Sequence, residues 1–114
     1  QVTGDFEGER GPMVVTGESE IDAAEAEAFA RYMRVLARIR LRDGALRWGL
    51  WADAARPGRY LESFVVESWL EHPRQHDRIT ADHRAVPATA RAFHRGAEPP
   101  RVTHFIHERM PEDA

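Results

Sequence analysis

The chain has 114 residues, 42% hydrophobic and 31% charged, with a net charge of −3. That is enough for one domain with a single modest core, and the composition excludes wholesale disorder. Cysteine is absent, which excludes disulfides, thiol catalysis and cysteine-based metal centres; all 16 basic residues are arginine, which excludes Schiff-base chemistry and a P-loop. No apolar run approaches the roughly 20 residues of a membrane-spanning helix, and the polar start does not read as a signal peptide. The slight acidic excess argues against a nucleic-acid partner. A chain opening on Gln1 is expected to be a piece of a longer one.

Residues 1–12 read as a linker punctuated by Gly4, Gly8, Gly11 and Pro12. Met13 to about Ile21 reads as a first strand, with Gly17 a candidate bulge. Asp22 and Glu25 have capping-box spacing. From there to Arg42 the period is helical, with Phe29, Tyr32, Met33, Leu36 and Ile39 on one side and Asp43-Gly44 as the stop. Ala45–Asp53 reads as a strand with Leu46, Trp48 and Leu50 on one face and Arg47, Gly49 and Trp51 on the other. Residues 54–58 make the turn. Arg59–Glu67 then returns with Tyr60, Phe64 and Val66 opposite Leu61, Ser63 and Val65. Apolar side chains on both faces of this hairpin predict a sheet covered on both sides.

Ser68 and Glu71 have the spacing of a second capping box, over a helix that Pro73 must disturb. A further helical piece is expected over Pro87–Arg95, with Gly96 as its C-terminal cap. After Glu98-Pro99-Pro100, Arg101–Glu108 reads as a last strand with Val102, His104 and Ile106 on one face, and 110–114 as a frayed tail. The order β-α-β-β-α-β over residues 13–109 predicts an α+β, ferredoxin-like domain.

Arg38–Val86 together with Ala92–Ile106 carries a family likeness. The telling pieces are Arg47-Trp48-Gly49-Leu50, Pro57-Gly58-Arg59-Tyr60, Glu67-Ser68-Trp69 with Glu71-His72, Arg74-Gln75-His76 and Pro99-Pro100-Arg101-Val102. The string resembles the soluble C-terminal domain of bacterial major facilitator superfamily transporters of the enterobactin-exporter-like, or transmembrane secretion effector, group. That domain is in turn similar to the antibiotic biosynthesis monooxygenase superfamily, whose members pair into a dimeric α+β barrel. The resemblance implies a homodimer at the cytoplasmic face of the membrane, attached to the transporter portion of the same chain. The role it implies is dimerisation or small-molecule sensing without turnover and without a cofactor. Proline at 73 and 87 and the absence of asparagine depart from the broader family's pattern.

The alternative is a cofactor-independent monooxygenase acting on an aromatic, polyketide-like substrate. Such chemistry needs a dry pocket, a base and a donor for the developing oxyanion. Trp48, Trp51 and Trp69 could wall the pocket, His76 or His104 could serve as base, and Arg40 or Arg47 as cationic stabiliser; the simpler reading makes the three tryptophans core and dimer packing. For the sensing role the same pocket residues, Arg40, Arg47, Trp48, Trp51 and His104, would meet a small aromatic ligand. His72 and His76 are four apart but separated by Pro73, and His104 and His107 point to opposite faces of a strand, so no metal site is expected.

Arginine makes two geometric statements. Arg31, Arg34, Arg38 and Arg42 fall within about 80° of one another on the first helix. They form either an ordinary solvated face or a face turned to the anionic membrane surface or a partner. Arg40 instead projects from the middle of the apolar side. The simpler expectation is that it snorkels past the helix end; the sharper one is that it meets a carboxylate or an acidic ligand.

Overall fold

The computed structural model describes residues 11–67 and 86–111. Strand β1 (Met13–Glu20) leads through a 3-10 turn (Ala23–Glu25) into helix α1 (Ala26–Arg42). Strands β2 (Arg47–Ala52) and β3 (Arg59–Val66) form a hairpin; helix α2 (Ala88–Phe93) and strand β4 (Arg101–Ile106) follow. The four strands make one antiparallel sheet in the order β2-β3-β1-β4. This is the α+β, ferredoxin-like arrangement that the element order predicts. The helix expected to open at Ser68 lies outside the described residues, and with it Trp69, His72 and His76.

Local chemistry explains the boundaries. The β1–β3 pairing runs unbroken from Met13↔Val66 to Glu20↔Arg59, so Gly17 is a regular strand residue and not a bulge. The Asp22 carboxylate caps the Ala24 N–H at 3.0 Å, but the reciprocal half of a capping box is missing. Glu25 is drawn away instead, into a 2.7 Å ion pair with Arg95. Gly44, at φ +120°, takes the left-handed turn after α1, a conformation in which a side chain would be strained.

Helix α2 is shorter than its sequence suggests. Pro87 stands before its first turn, and the chain is already extended at His94. The reason is tertiary. His94 bridges to Ile21, and the Arg95 N–H donates to the Glu20 carbonyl at 2.8 Å, so the backbone is captured by the end of β1 before Gly96 is reached. Gly96 therefore does not cap the helix.

Alternation along the strands sorts the sheet into two faces. The face under the helices carries Met13 and Val15 of β1, Trp48 and Leu50 of β2, Tyr60, Glu62, Phe64 and Val66 of β3, and Val102 of β4. Two buried apolar clusters form there. One joins Met13, Val15, Ala45, Phe64 and Val66; the other packs Phe29, Met33 and Leu36 of α1 with Ile21. Trp48 touches both. Phe29 is the most enclosed side chain, its ring 5.3 Å from that of Tyr60 and 5.6 Å, edge-on, from that of Phe93. Leu46, expected beside Trp48 and Leu50, lies just before β2 and is exposed.

Candidate functional site

Arg40 stays inside. Its residue is 8% exposed, and it meets Glu62 from the sheet: Nε donates to Oε2 at 3.1 Å and Nη2 to Oε1 at 3.3 Å. The Trp48 indole N–H donates to the same Oε2 at 2.8 Å. The guanidinium carbon also lies 4.6 Å from the centre of the Phe64 ring, a cation–π contact. An unpaired guanidinium could not be held at this depth, and the carboxylate removes that cost by neutralising it in place. Of the two expectations for Arg40, the carboxylate partner is the one found.

Sequence reasoning singled out Arg40 but missed Glu62. The signal was present: Glu62 falls between Tyr60 and Phe64 at strand period, on the face the helices cover. A cation on the apolar side of a helix and an acid on the apolar side of a strand call for one another.

The pair lines a partly open cavity of about 30 Å³ between the sheet and the helices, whose walls include Phe29, Met33 and Leu36 of α1, Tyr60 of β3, Ala90 of α2 and Val102 of β4. That is room for roughly one or two water molecules. The Nη1 group of Arg40 makes no hydrogen bond to the described residues.

The remaining candidates are dispersed. Trp48 stands beside the pair through its hydrogen bond to Glu62. Arg47 and Trp51 project from the opposite face of the sheet, away from the cavity. His104 pairs with Val15 on the helix-side face of edge strand β4 and does not line the cavity. Burial pushes its imidazole below the usual value of 6.5, which favours the neutral ring. Arg31, Arg34, Arg38 and Arg42 are all exposed on α1. Among the described residues no three or more histidine or acidic side chains gather where they could hold a metal.

The outer face of the sheet is a second candidate site. Val14, Leu61 and Val65 are partly covered there, while Trp51 and Phe105 are 59% and 54% exposed. Trp51 lies over Gly49: a Cβ at that position would come within 2.9 Å of the indole ring, and the ring is anchored by its N–H to Ser63 Oγ at 2.9 Å. At the end of this face Arg59 pairs with Glu18 at 2.6 Å and Asp53 at 2.9 Å.

The family description "transmembrane secretion effector" matches residues 1–112. The chain belongs to that family. No curated protein matches this secretion effector domain. Its fold is shared with several solved structures. A conserved protein from Methanosarcina mazei Go1 superposes with a TM-score of 0.66 at 11% identity, covering 89% of this chain and 97% of that one. A candidate antibiotic biosynthesis monooxygenase from Nitrosomonas europaea gives 0.63 at 19% identity, over 90% and 93% of the two chains. One from Caulobacter crescentus CB15 gives 0.61 at 18% identity, over 87% and 92%. At such identities the likeness establishes the fold, and the fold hosts more than one activity. Among the described residues of the domain no helix is long and apolar enough to cross a membrane.

Proposed function

We propose that this domain is the cytoplasmic C-terminal module of a major facilitator superfamily exporter. In this reading it works without turnover, pairing with a second copy through the outer face of its sheet and responding to a small, uncharged aromatic molecule in the cavity beneath. The observation that carries the reading is that outer face. Trp51 stands exposed on it beside Leu61, and Phe105 in the row of Val14 and Val65, two apolar patches that flank the small side chains of Thr16, Ser63 and Thr103 and are of the kind a protein interface covers.

The arginines favour a role without catalysis. A stabiliser of an oxyanion must present uncompensated positive charge at the reacting atom. Arg40 is neutralised by Glu62, and Arg47 faces the other side of the sheet. What Arg40 still offers is Nη1, a donor suited to a ligand carrying a carbonyl or hydroxyl oxygen and no net charge. The cavity must widen to admit such a molecule.

Sedimentation of the isolated chain tests the pairing. A dimer that Trp51→Glu converts to monomer is expected, because a carboxylate placed within the contact would be desolvated without a partner. A wild-type chain that is monomeric at high concentration overturns the reading. So does aerobic conversion of a quinol or polycyclic phenol by that chain.

A further inference from the structure

Helix α1 presents a second surface. Phe29, Met33, Leu36 and Arg40 are held against the sheet, which fixes the rotation of the helix about its axis. At about 100° per residue, Arg34, Arg38 and Arg42 then leave from the diametrically opposite side. Arg42 leans to Asp43 at 3.3 Å, and Arg31, one turn before Val35, is paired with Glu27 at 3.0 Å. Arg34 and Arg38 have no ion-pair partner among the described residues.

This arrangement is unfavourable for a helix in isolation, because like charges four residues apart repel. It is also bordered by apolar groups: on the same wheel Leu41 flanks the stripe on one side and Val35 on the other, each 45% exposed. Neither the arginine of α2 nor the one just after it joins the stripe. Arg91 donates to the Val86 carbonyl and Arg95 is committed to Glu25. The outcome is a narrow cationic stripe edged by aliphatic side chains on a chain whose net charge is −3, so its pull on anions is a local property of α1 and not of the chain as a whole.

The geometry points to α1 as a docking face for an anionic bilayer surface, with Arg34 and Arg38 on lipid phosphates and Val35 and Leu41 at the headgroup boundary. A plane of phosphates suits a linear, exposed stripe that encloses no pocket. The assignment rests on the reading that places the domain beside a membrane, and it is independent of whether two copies pair.

Vesicle co-sedimentation of the whole 114-residue chain tests it. The chain is expected to partition onto vesicles of phosphatidylglycerol and phosphatidylcholine in equal parts, and not onto phosphatidylcholine alone. Raising salt from roughly 0.05 M to roughly 0.5 M should release it. Arg34→Gln with Arg38→Gln should weaken partition about 30-fold. The same charge change at Arg56→Gln with Arg109→Gln, away from α1, should leave it unaltered. Both positions in the first double variant are exposed and unpaired, and circular dichroism verifies that the fold is kept. Absence of partition onto the anionic vesicles, equal partition onto both, or equal losses in the two double variants overturns the assignment. So does full competition by soluble glycerol phosphate at modest concentration, which would make the site one for free phosphate. Failure here would leave the sedimentation test of pairing untouched.

Discussion

Arg40 and Glu62 hold one another in the interior, 3.1 Å apart, with only 8% and 10% of their side chains exposed. Neither charge is tolerable at that depth without the other. Removing one partner, as in Glu62→Ala, is expected to lower unfolding stability by about 3–5 kcal/mol, because it strands a buried cation. Replacing both together, as Arg40→Met with Glu62→Leu, should cost far less. Urea denaturation of the two single variants and the double variant measures the difference, and near-additive losses would contradict the coupling. Trp48→Phe, which removes the indole donor to Glu62 and part of a ring that touches both apolar clusters, should cost at least the roughly 1.5–3 kcal/mol of a hydrogen bond to a charged group.

Gly49 sets the posture of Trp51. Since an added Cβ would press on the indole at 2.9 Å, Gly49→Val should lift the ring from the sheet and break its bond to Ser63. The expected result is weaker pairing with little loss of fold, read as a lower fraction of dimer in sedimentation beside an unchanged far-ultraviolet dichroism spectrum. An undiminished dimer would show that Trp51 lies outside the contact.

Acid should weaken the fold in two steps. Burial keeps the folded pKa of His104 below 6.5, so the unfolded chain takes up the proton first, and stability present above that pH is lost as pH falls through the folded value. Asp53 follows lower down. The Ala55 N–H and then the Arg59 guanidinium hold its carboxyl below 3.8, so its contribution is complete above that pH and disappears beneath it. In a series of urea midpoints against pH, His104→Gln should remove the upper step and Asp53→Asn the lower.

The His94 ring is tied at both ends. Nδ1 accepts from the Glu20 N–H at 3.0 Å, and Nε2 lies 2.7 Å from the Glu98 carbonyl, to which it donates. A Cβ on Gly96 would stand 2.7 Å from Nε2. Gly96→Ala should therefore break one of these bonds at a cost of about 1–3 kcal/mol and raise hydrogen exchange at the Glu20 amide. Unaltered exchange there would mean that the ring adjusts without letting go.

Much of the architecture was legible because it rests on local rules. The period of α1, the Gly44 stop and the alternation of the β2–β3 hairpin are properties of neighbouring residues, and the pairing of the strands follows them. What was hidden depends on residues far apart in sequence. Glu25 leaves its capping role for Arg95, and α2 ends early because β1 captures His94 and Arg95. Arg40 could be recognised as misplaced on its helix, yet its solution lies 22 residues away on a strand. The five side chains suggested for one pocket divided between the two faces of the sheet. Periodicity tells which residues share a face of one element, but not which faces of two elements meet.

The arginine stripe of α1 and the outer face of the sheet lie on opposite sides of the domain. Two copies joined sheet to sheet would therefore carry their stripes back to back, aimed outward along opposite directions. Such a pair could rest on a flat bilayer through one member at a time, leaving the other free to seize a second surface. Mixed with anionic vesicles it would act as a crosslinker, and turbidity would rise with the wild-type chain but not with Trp51→Glu.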